Sequence, residues 1–345
     1  MANPVCLIVN PAAGGGRAAR VAPVAERALR ELGVQVDRAD TRDLDHAREL
    51  AGTAAGAGET IVALGGDGLI GAIADALRHC PGAVLGVIAG GRGNDLARVL
   101  GIPQDPREAA AIIAAGHIRP VDLGLVEGGA PGPTAASRPA GAGASAAGGG
   151  RAFVGIASAG FDSDANRIAN EAPAWLGGLV YVYGALRALA AWRPAHLEIE
   201  LLLPAEPLPG GGGGDDPPGG REGERERHTF SGYSVGACNS KAYGGGMLAA
   251  PDALLDDGLL EVVVMEDMSK LAFLTRILPK VFKGTHVHEP GVHVFRAREV
   301  LLSADRPFTM YADGDPIAEL PVRVRALAGA ITMLVPATAS SAFTA

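Results

Sequence analysis

Glu59-Thr60-Ile61-Val62-Ala63-Leu64-Gly65-Gly66-Asp67-Gly68 reads as a short apolar strand running into a glycine turn that carries one carboxylate. The strand Thr60 to Leu64 is flanked by glycine and reads as buried and parallel. Glycines around Asp67 let the backbone approach a bulky anion and present bare N–H groups to it. Leu69 to Leu77 follows with helical spacing, so a helix N-terminus that favours phosphate starts just past Asp67. A strand–helix turn that merely needs glycine would read the same way.

The surrounding chain repeats the pattern. Val5 to Val9 is a strand ending in Asn10-Pro11-Ala12-Ala13-Gly14-Gly15-Gly16, and a helix over about Ala18 to Leu32 follows. Val34 to Asp37 reads as a second strand with Thr41 just past its end, and Leu44 to Ala55 as a second helix. Ala83 to Ile88 is a further strand. It leads into Ala89-Gly90-Gly91-Arg92-Gly93-Asn94-Asp95, where Asn94 or Asp95 can cap a helix. Alternation of this kind implies a parallel sheet covered by helices. Three glycine-rich loops then fall at C-terminal strand ends, where such sheets bind ligands. Their spacing fits neither the Rossmann nor the Walker pattern.

Length and composition set the frame. The chain has 345 residues, comfortable for two domains, and 48% apolar against 20% charged residues, enough for a packed core. A net charge of −8 excludes a general attraction to nucleic acid. Three scattered cysteines, Cys6, Cys80 and Cys238, give neither a disulfide framework nor a zinc site and suit a reducing cytosol. The N-terminus runs straight into a strand, with no visible signal peptide. Trp175 to Trp192 is the longest apolar run, marginal for a membrane span, and reads as a buried or interfacial helix.

Past Val121 the pattern changes. Residues 127–150 and 204–227 are low-complexity inserts, a mobile loop and a solvated hairpin tip. Between and after them β-type segments dominate: Arg151 to Ala157, Leu197 to Leu203, Tyr233 to Ala237, Leu259 to Met265, Val292 to Phe295, Glu299 to Ser303, Phe308 to Ala312, Val322 to Ala326 and Ala330 to Val335. One helix, about Ser269 to Val281, interrupts them. This half reads as antiparallel β, a sandwich or barrel-like domain.

The order of motifs resembles the diacylglycerol-kinase catalytic domain family, specifically the bacterial diacylglycerol kinase-like lipid kinases related to sphingosine kinase. The resemblance rests on Asn10-Pro11-x-x-Gly14, Gly65-Gly66-Asp67-Gly68, Gly91-x-x-Asn94-Asp95, Gly160-Phe161-Asp162, the run Asn239 to Gly246, the run Pro251 to Leu260, and Asp313-Gly314-Asp315-Pro316. It spans residue 5 to about residue 336 apart from the inserts. It implies α/β plus β: an N-terminal parallel-sheet nucleotide-binding domain (1–122), NAD-kinase- and diacylglycerol-kinase-like. A C-terminal antiparallel β-sandwich (123–336) and a tail (337–345) follow, with the active site in the cleft between the domains. ATP is expected along Asn10, Thr41, Gly65, Gly66, Asp67, Gly68, Gly91, Arg92, Asn94 and Asp95. A structural Mg²⁺ is expected at the Pro251 to Leu260 motif, on the Asp257 carboxylate and the Leu254 and Leu259 carbonyls; a plain hairpin turn fits that motif too.

Two departures stand out. The family commonly reads Gly-Gly-Asp-Gly-Thr-x-Asn, and here Leu69 and Gly71 replace Thr and Asn. The second loop carries Arg92 where Thr is common, and a guanidinium there can supply charge in place of the lost hydrogen bonds. Phosphoryl transfer needs positioning, charge neutralisation and a carboxylate to take the hydroxyl proton. Asp67 is assigned to Mg²⁺–ATP and open to base work, and Asp313 or Asp315 to the general base. The expected acceptor is a diacylglycerol-like lipid alcohol. The location is expected to be cytoplasmic, with peripheral contact at the inner membrane face. Docking is expected through the Trp175 to Trp192 helix, with its aromatics Trp175, Tyr181, Tyr183 and Trp192, and through the basic stretch Lys270, Arg276, Lys280 and Lys283. A homodimer stays open. The alternatives are a soluble-metabolite kinase of NAD or sugar type and a non-catalytic nucleotide- or lipid-binding module.

Overall fold

The computed structural model describes residues 4–128, 150–172, 180–204 and 223–337. Continuous apolar runs make the innermost strands. β1 (Val5–Val9) is buried along its whole length, and β3 (Thr60–Gly65) and β4 (Val84–Ala89) nearly so, as parallel strands covered on both faces must be. β1 pairs in parallel with β2 (Val36–Asp40) and with β3, and β3 pairs with β4. Helices α1 (Ala13–Glu31), α2 (Leu44–Gly56), α3 (Asp67–Leu77), α4 (Asp95–Val99) and α5 (Pro106–Ala115) alternate with these strands. The second strand lies two residues later than its apolar Val34 suggests. Val34 instead closes the α1 turn, its N–H bonded to the Leu29 carbonyl.

The C-terminal half is antiparallel. β5 (Ile118–Gly128) and β6 (Arg151–Phe153) precede β7 (Ile156–Gly160), α6 (Phe161–Glu171) and α7 (Val180–Ala191). β8 (Ala195–Leu202) and β9 (Arg225–Cys238) form a long hairpin, followed by the small pair β10 (Ala242–Tyr243) and β11 (Met247–Leu248). β12 (Leu260–Glu266) leads to a helical stretch made of α8 (Lys270–Ala272), a π turn (Phe273–Ile277) and α9 (Leu278–Val281). Pro279 has no N–H to give the Thr275 carbonyl, which accounts for the widened turn just before it. β13 (Val292–Ala297), β14 (Glu299–Ala304), β15 (Thr309–Ala312), β16 (Asp315–Glu319) and β17 (Val322–Leu334) complete the chain.

The described strands, β10 and β11 apart, join in one hydrogen-bonded sheet, parallel at the N-terminal end and antiparallel at the other, as expected. The expected boundary between residues 122 and 123 falls inside β5. β5 pairs with β17 along nearly all of its length, and β17 also pairs in parallel with β4 through Thr332 and Met333. The two strands read at 322–326 and 330–335 are one strand, because the bulge between Leu327 and Ile331 bends it without ending it. Asp122 fastens that bulge: its carboxylate accepts the Gly329 and Gly258 N–H groups, each at 2.6 Å.

Two cores result, one on each half of the sheet. The second gathers Phe161, Trp192, Tyr233 and Phe273, with centroids of Phe161 and Trp192 5.7 Å apart and edge to face. Trp192 is therefore core, 5% exposed, and not an interface aromatic as its position suggested. The Tyr181 side chain and Trp175 lie outside the described residues, as do residues 129–149 and 205–222 of the two inserts and residues 338–345 of the tail. Arg225, Glu226 and Arg227, assigned to the solvated tip, are strand residues that pair with Leu202, Leu201 and Glu200, and Arg225 and Arg227 bind the Glu200 carboxylate. The Leu203 N–H bonds the Glu224 carbonyl at 2.9 Å, so the ends of the insert meet. Replacing residues 207–221 by a four-residue turn should accordingly shift stability by less than about 1 kcal/mol, since loop closure costs rise slowly with length. Thermal melts of the shortened chain check this, and a large fall would mean that the segment packs on the domain.

Candidate functional site

The glycine loops after β1, β3 and β4 converge at one end of the parallel strands. Gly66 and Gly91 touch backbone to backbone, and a Cβ on Gly91 would collide with the Gly66 Cα. Close packing of loop on loop thus accounts for part of the glycine. The Gly91 loop is stapled from within: the Asn94 side chain accepts the Gly91 N–H at 2.8 Å and donates to the Gly91 carbonyl and to Gln104. The Asp67 carboxylate sits in the first turn of α3 and accepts the Asp95 and Leu96 N–H groups at 3.2 and 3.1 Å, capping α4. Asp95 is buried. It accepts the Gly245 N–H at 2.8 Å and pairs with Arg98, joining the two halves, and burial raises its pKa against the pull of that N–H.

Asp67, Asp95 and Asp313 line a pocket of about 100 Å³ together with Ser158, Tyr243 and Gly244. Asp313 comes from the turn after β15, in the left-handed region at φ 51°. Its carboxylate accepts the Val154 and Gly155 N–H groups at 2.9 and 2.8 Å. Burial pushes its pKa up to about 6; the two N–H groups pull it down and the Asp67 charge adds to the rise. A Cβ on Gly71 would lie 2.8 Å from Asp313 Oδ2, so this carboxylate fills the space beside α3 that a larger residue at position 71 would need. Leu69 is core, its side chain laid over Gly65. Asp315 points elsewhere, towards Arg151 at 3.9 Å and the start of α3. Burial raises its pKa, and Arg151 and Arg48 offset part of the rise.

Tyr243 and Gly244 also border a second and larger cavity of about 760 Å³. Its lining combines Gly14, Gly91, Arg17 and the exposed Arg92 with apolar Phe161, Ala185, Met247, Met265 and Phe273. Asp162 is the carboxylate in this wall, and burial raises its pKa to about 6. The geometry sets basic, glycine-lined and apolar walls around one cavity, with a carboxylate pocket that shares Tyr243 and Gly244 with it.

Residues 4–126 match the diacylglycerol kinase catalytic domain, and residues 155–335 match the YegS C-terminal NAD kinase beta sandwich-like domain. The chain is 30% identical over 336 residues to the diacylglycerol kinase of Mycobacterium tuberculosis (strain H37Rv), covering 96% of this chain and 95% of that one. This chain belongs to the diacylglycerol kinase family. It is also 29% identical over 320 residues to a probable lipid kinase, YegS-like, of Stenotrophomonas maltophilia, covering 89% of each. The crystal structure of a diacylglycerol kinase from Bacillus anthracis shares its fold, with a TM-score of 0.67, 19% identity and 98% of each chain covered. The names and domains of these relatives mark this chain as a lipid-kinase family member of the transferase type.

Within this lipid-kinase frame the anticipated residues sort by their contacts. Asn10, Gly66, Gly91 and Arg92 lie on the loops that follow β1, β3 and β4, while Gly65 is the last residue of β3 and Gly68 lies in the first turn of α3. Thr41 is buried, its hydroxyl given to the Asp43 carbonyl at 2.5 Å and its N–H to Val9. The Asn94 and Asp95 side chains are engaged by the protein. At the expected structural cation site, Asp257 binds Arg296 through Oδ2 and the Leu259 N–H through Oδ1 at 3.0 Å. A guanidinium thus stands where the cation was expected, beside a turn that Asp122 also pins. Among the described residues no three His, Cys, Asp or Glu side chains are placed to hold an ion by themselves. Arg17, Tyr243 and Asp162 received no role from the sequence, although all three sit in or beside the quoted motifs. All three line one cavity, to which both halves of the chain contribute.

Proposed function

We propose that this chain transfers the γ-phosphate of ATP to the hydroxyl of a diacylglycerol-like lipid alcohol. One observation carries the reading: a cavity of about 760 Å³ joins a glycine-lined wall with two arginines to apolar walls. A kinase of NAD or sugars needs a polar acceptor chamber, and walls of Phe161, Met247 and Phe273 suit acyl chains. A non-catalytic module would have no use for a buried carboxylate with a pKa near 6 beside the phosphate loops.

In this reading the loops of Asn10, Gly65 to Gly68 and Gly91 cradle the phosphates, and Arg92 and Arg17 neutralise them. Asp67 keeps lone pairs beyond its two backbone bonds. It would hold Mg²⁺ together with phosphate oxygens and water, which suits an ion that takes one or two carboxylates and supplies charge neutralisation. Asp313, fixed by Val154 and Gly155, accepts the hydroxyl proton as the acceptor oxygen bonds to the γ-phosphorus and the bond to the β–γ bridging oxygen breaks, releasing ADP. Asp315, turned towards Arg151, is left as a charge-balancing neighbour.

Purified protein with γ-labelled ATP and a panel of acceptors in detergent micelles tests the reading. Label should pass to diacylglycerol or another lipid alcohol; label on NAD or a sugar alone would replace it with the soluble-metabolite reading. In the same assay Arg92→Ala should raise the KM for ATP about ten-fold and leave the KM for lipid within two-fold. Unchanged ATP kinetics would make Arg92 a surface arginine.

A further inference from the structure

The helical stretch 270–281 and the residue after it carry two apolar stripes. Phe273, Ile277 and Val281 recur every four residues and are buried in the C-terminal core. Leu271, Leu278 and Phe282, with Thr275 between them, recur at i, i+7 and i+11 and turn outward; Leu271 is 70% and Phe282 51% exposed. One stripe is enough to dock a surface helix on its own core. The second meets no core among the described residues.

Helix α7 extends the same face. Lys270 donates to the Ala190 carbonyl at 2.8 Å, which ties the two elements together, and α7 adds Leu186, 47% exposed. Both elements also wall the apolar cavity, through Ala185 on one side and Leu278 and Phe282 on the other. The C-terminal part of the outward stripe, Leu278 and Phe282, therefore also borders that cavity, and Leu271 extends the stripe beyond it. Arg187 on α7 and Lys270, Arg276 and Lys283 in or just after the helical stretch are exposed on these same elements, in a chain whose net charge is −8. Lys280, expected among the docking cations, is spent in an ion pair with Glu289, whose pKa that pair holds below its usual range with a smaller pull from Arg276. Asp267, just ahead of the stretch, is the exposed carboxylate nearest in sequence. Among the described residues no helix is long and apolar enough to cross a membrane.

We infer that this face seats the protein on an anionic lipid bilayer, with Leu271 and Phe282 entering the interface and Arg187, Lys270, Arg276 and Lys283 lying at the headgroups. The inference rests on the lipid-kinase reading for its occupant. An acyl chain leaving such a bilayer would enter the cavity without crossing water, and cations together with exposed apolar side chains suit an interface of charged headgroups over hydrocarbon. Each cation near an anionic leaflet strengthens binding about five-fold, in a way that salt weakens.

Flotation with vesicles tests it by binding alone. The wild-type protein should float with phosphatidylcholine vesicles containing about a third phosphatidylglycerol, less so as salt rises, and not with pure phosphatidylcholine. Leu271→Glu with Lys283→Glu should lower binding at least ten-fold, and Lys283→Glu alone, a change of two charges, more than about five-fold. Arg107→Glu on α5, the same charge change elsewhere, should leave binding intact. Circular dichroism melts confirm that each variant is folded. A wild type that does not float, or a double variant that floats equally well, overturns the inference. So does a wild-type dimer that Leu271→Glu splits without altering flotation, since a second copy would then cover the stripe. Transfer of label to lipid in micelles is scored separately, so a failed kinase reading and a failed docking face give different results.

Discussion

Asp313→Asn should lower kcat by about 10²–10⁴, the usual worth of a general base, with the fold retained. The asparagine oxygen can accept one of the Val154 and Gly155 N–H groups, while its amide faces the other. The expected stability cost is about 1–3 kcal/mol, offset in part because a buried charge is removed. The pH profile identifies the role. Burial raises the Asp313 pKa to about 6, and only the ionised form can take a proton. The wild-type kcat/KM should therefore climb with pH through about 6 and then level off; below that range the carboxylate is protonated and idle. The variant should lose this acid limb along with its rate. Asp315→Asn should keep the limb, because its carboxylate faces Arg151. A limb that persists in the Asp313 variant and disappears in the Asp315 variant would exchange the two assignments.

Asp67→Asn should lower kcat on the order of 10³-fold, as expected for a group that neutralises phosphate charge through a cation. This side chain also caps α4 through the Asp95 and Leu96 N–H groups. Its replacement should cost about 1–2 kcal/mol, a shift of a few degrees in Tm for a chain of this size. Calorimetry with a non-hydrolysable ATP analogue separates the two roles. Added Mg²⁺ should tighten binding strongly in the wild type and little in the variant. If the variant loses activity yet keeps the full Mg²⁺ enhancement, Asp67 acts only by holding the Gly91 loop.

β1, β3 and β4 were legible because they are unbroken apolar runs that lead into glycine-rich loops, signals that are local in the sequence; β2, with Asp37, Arg38 and Asp40, carries no such run and was read two residues early. α6 was not read, since Asp162, Ser163, Asp164, Asn166 and Arg167 look like a loop; its start is fixed by Phe161 packing on Trp192 and Tyr233. Gly329 split β17 on paper because a glycine reads as a stop; Asp122, far away in sequence, makes it a bulge. The candidate site was legible as a set of residues but not as a set of roles. Asp67, Asn94 and Asp95 read as ligands for a nucleotide, and their contacts hold loops to one another and to the second half. The pairing of Gly71 with Asp313 explains a departure that looked like a loss: the small residue makes room for a carboxylate from another domain. Lys280 and Trp192 read as a docking charge and an interface ring because sequence does not reveal Glu289 or the aromatic core.

β17 bears on how the chain assembles. Four strands of the parallel sheet are synthesised within the first hundred residues, yet among the described residues the outer flank of β4 is paired by Thr332 and Met333, which follow far later in the sequence. A nascent chain leaving the ribosome must hold that apolar flank open until β17 has emerged. Completion of the parallel half then waits on a distant strand, and contacts between such distant residues are slow to close. A nonsense or frameshift change ahead of residue 332 would strip an edge from the nucleotide half as well as from the β half, and both would be exposed to aggregation by one lesion.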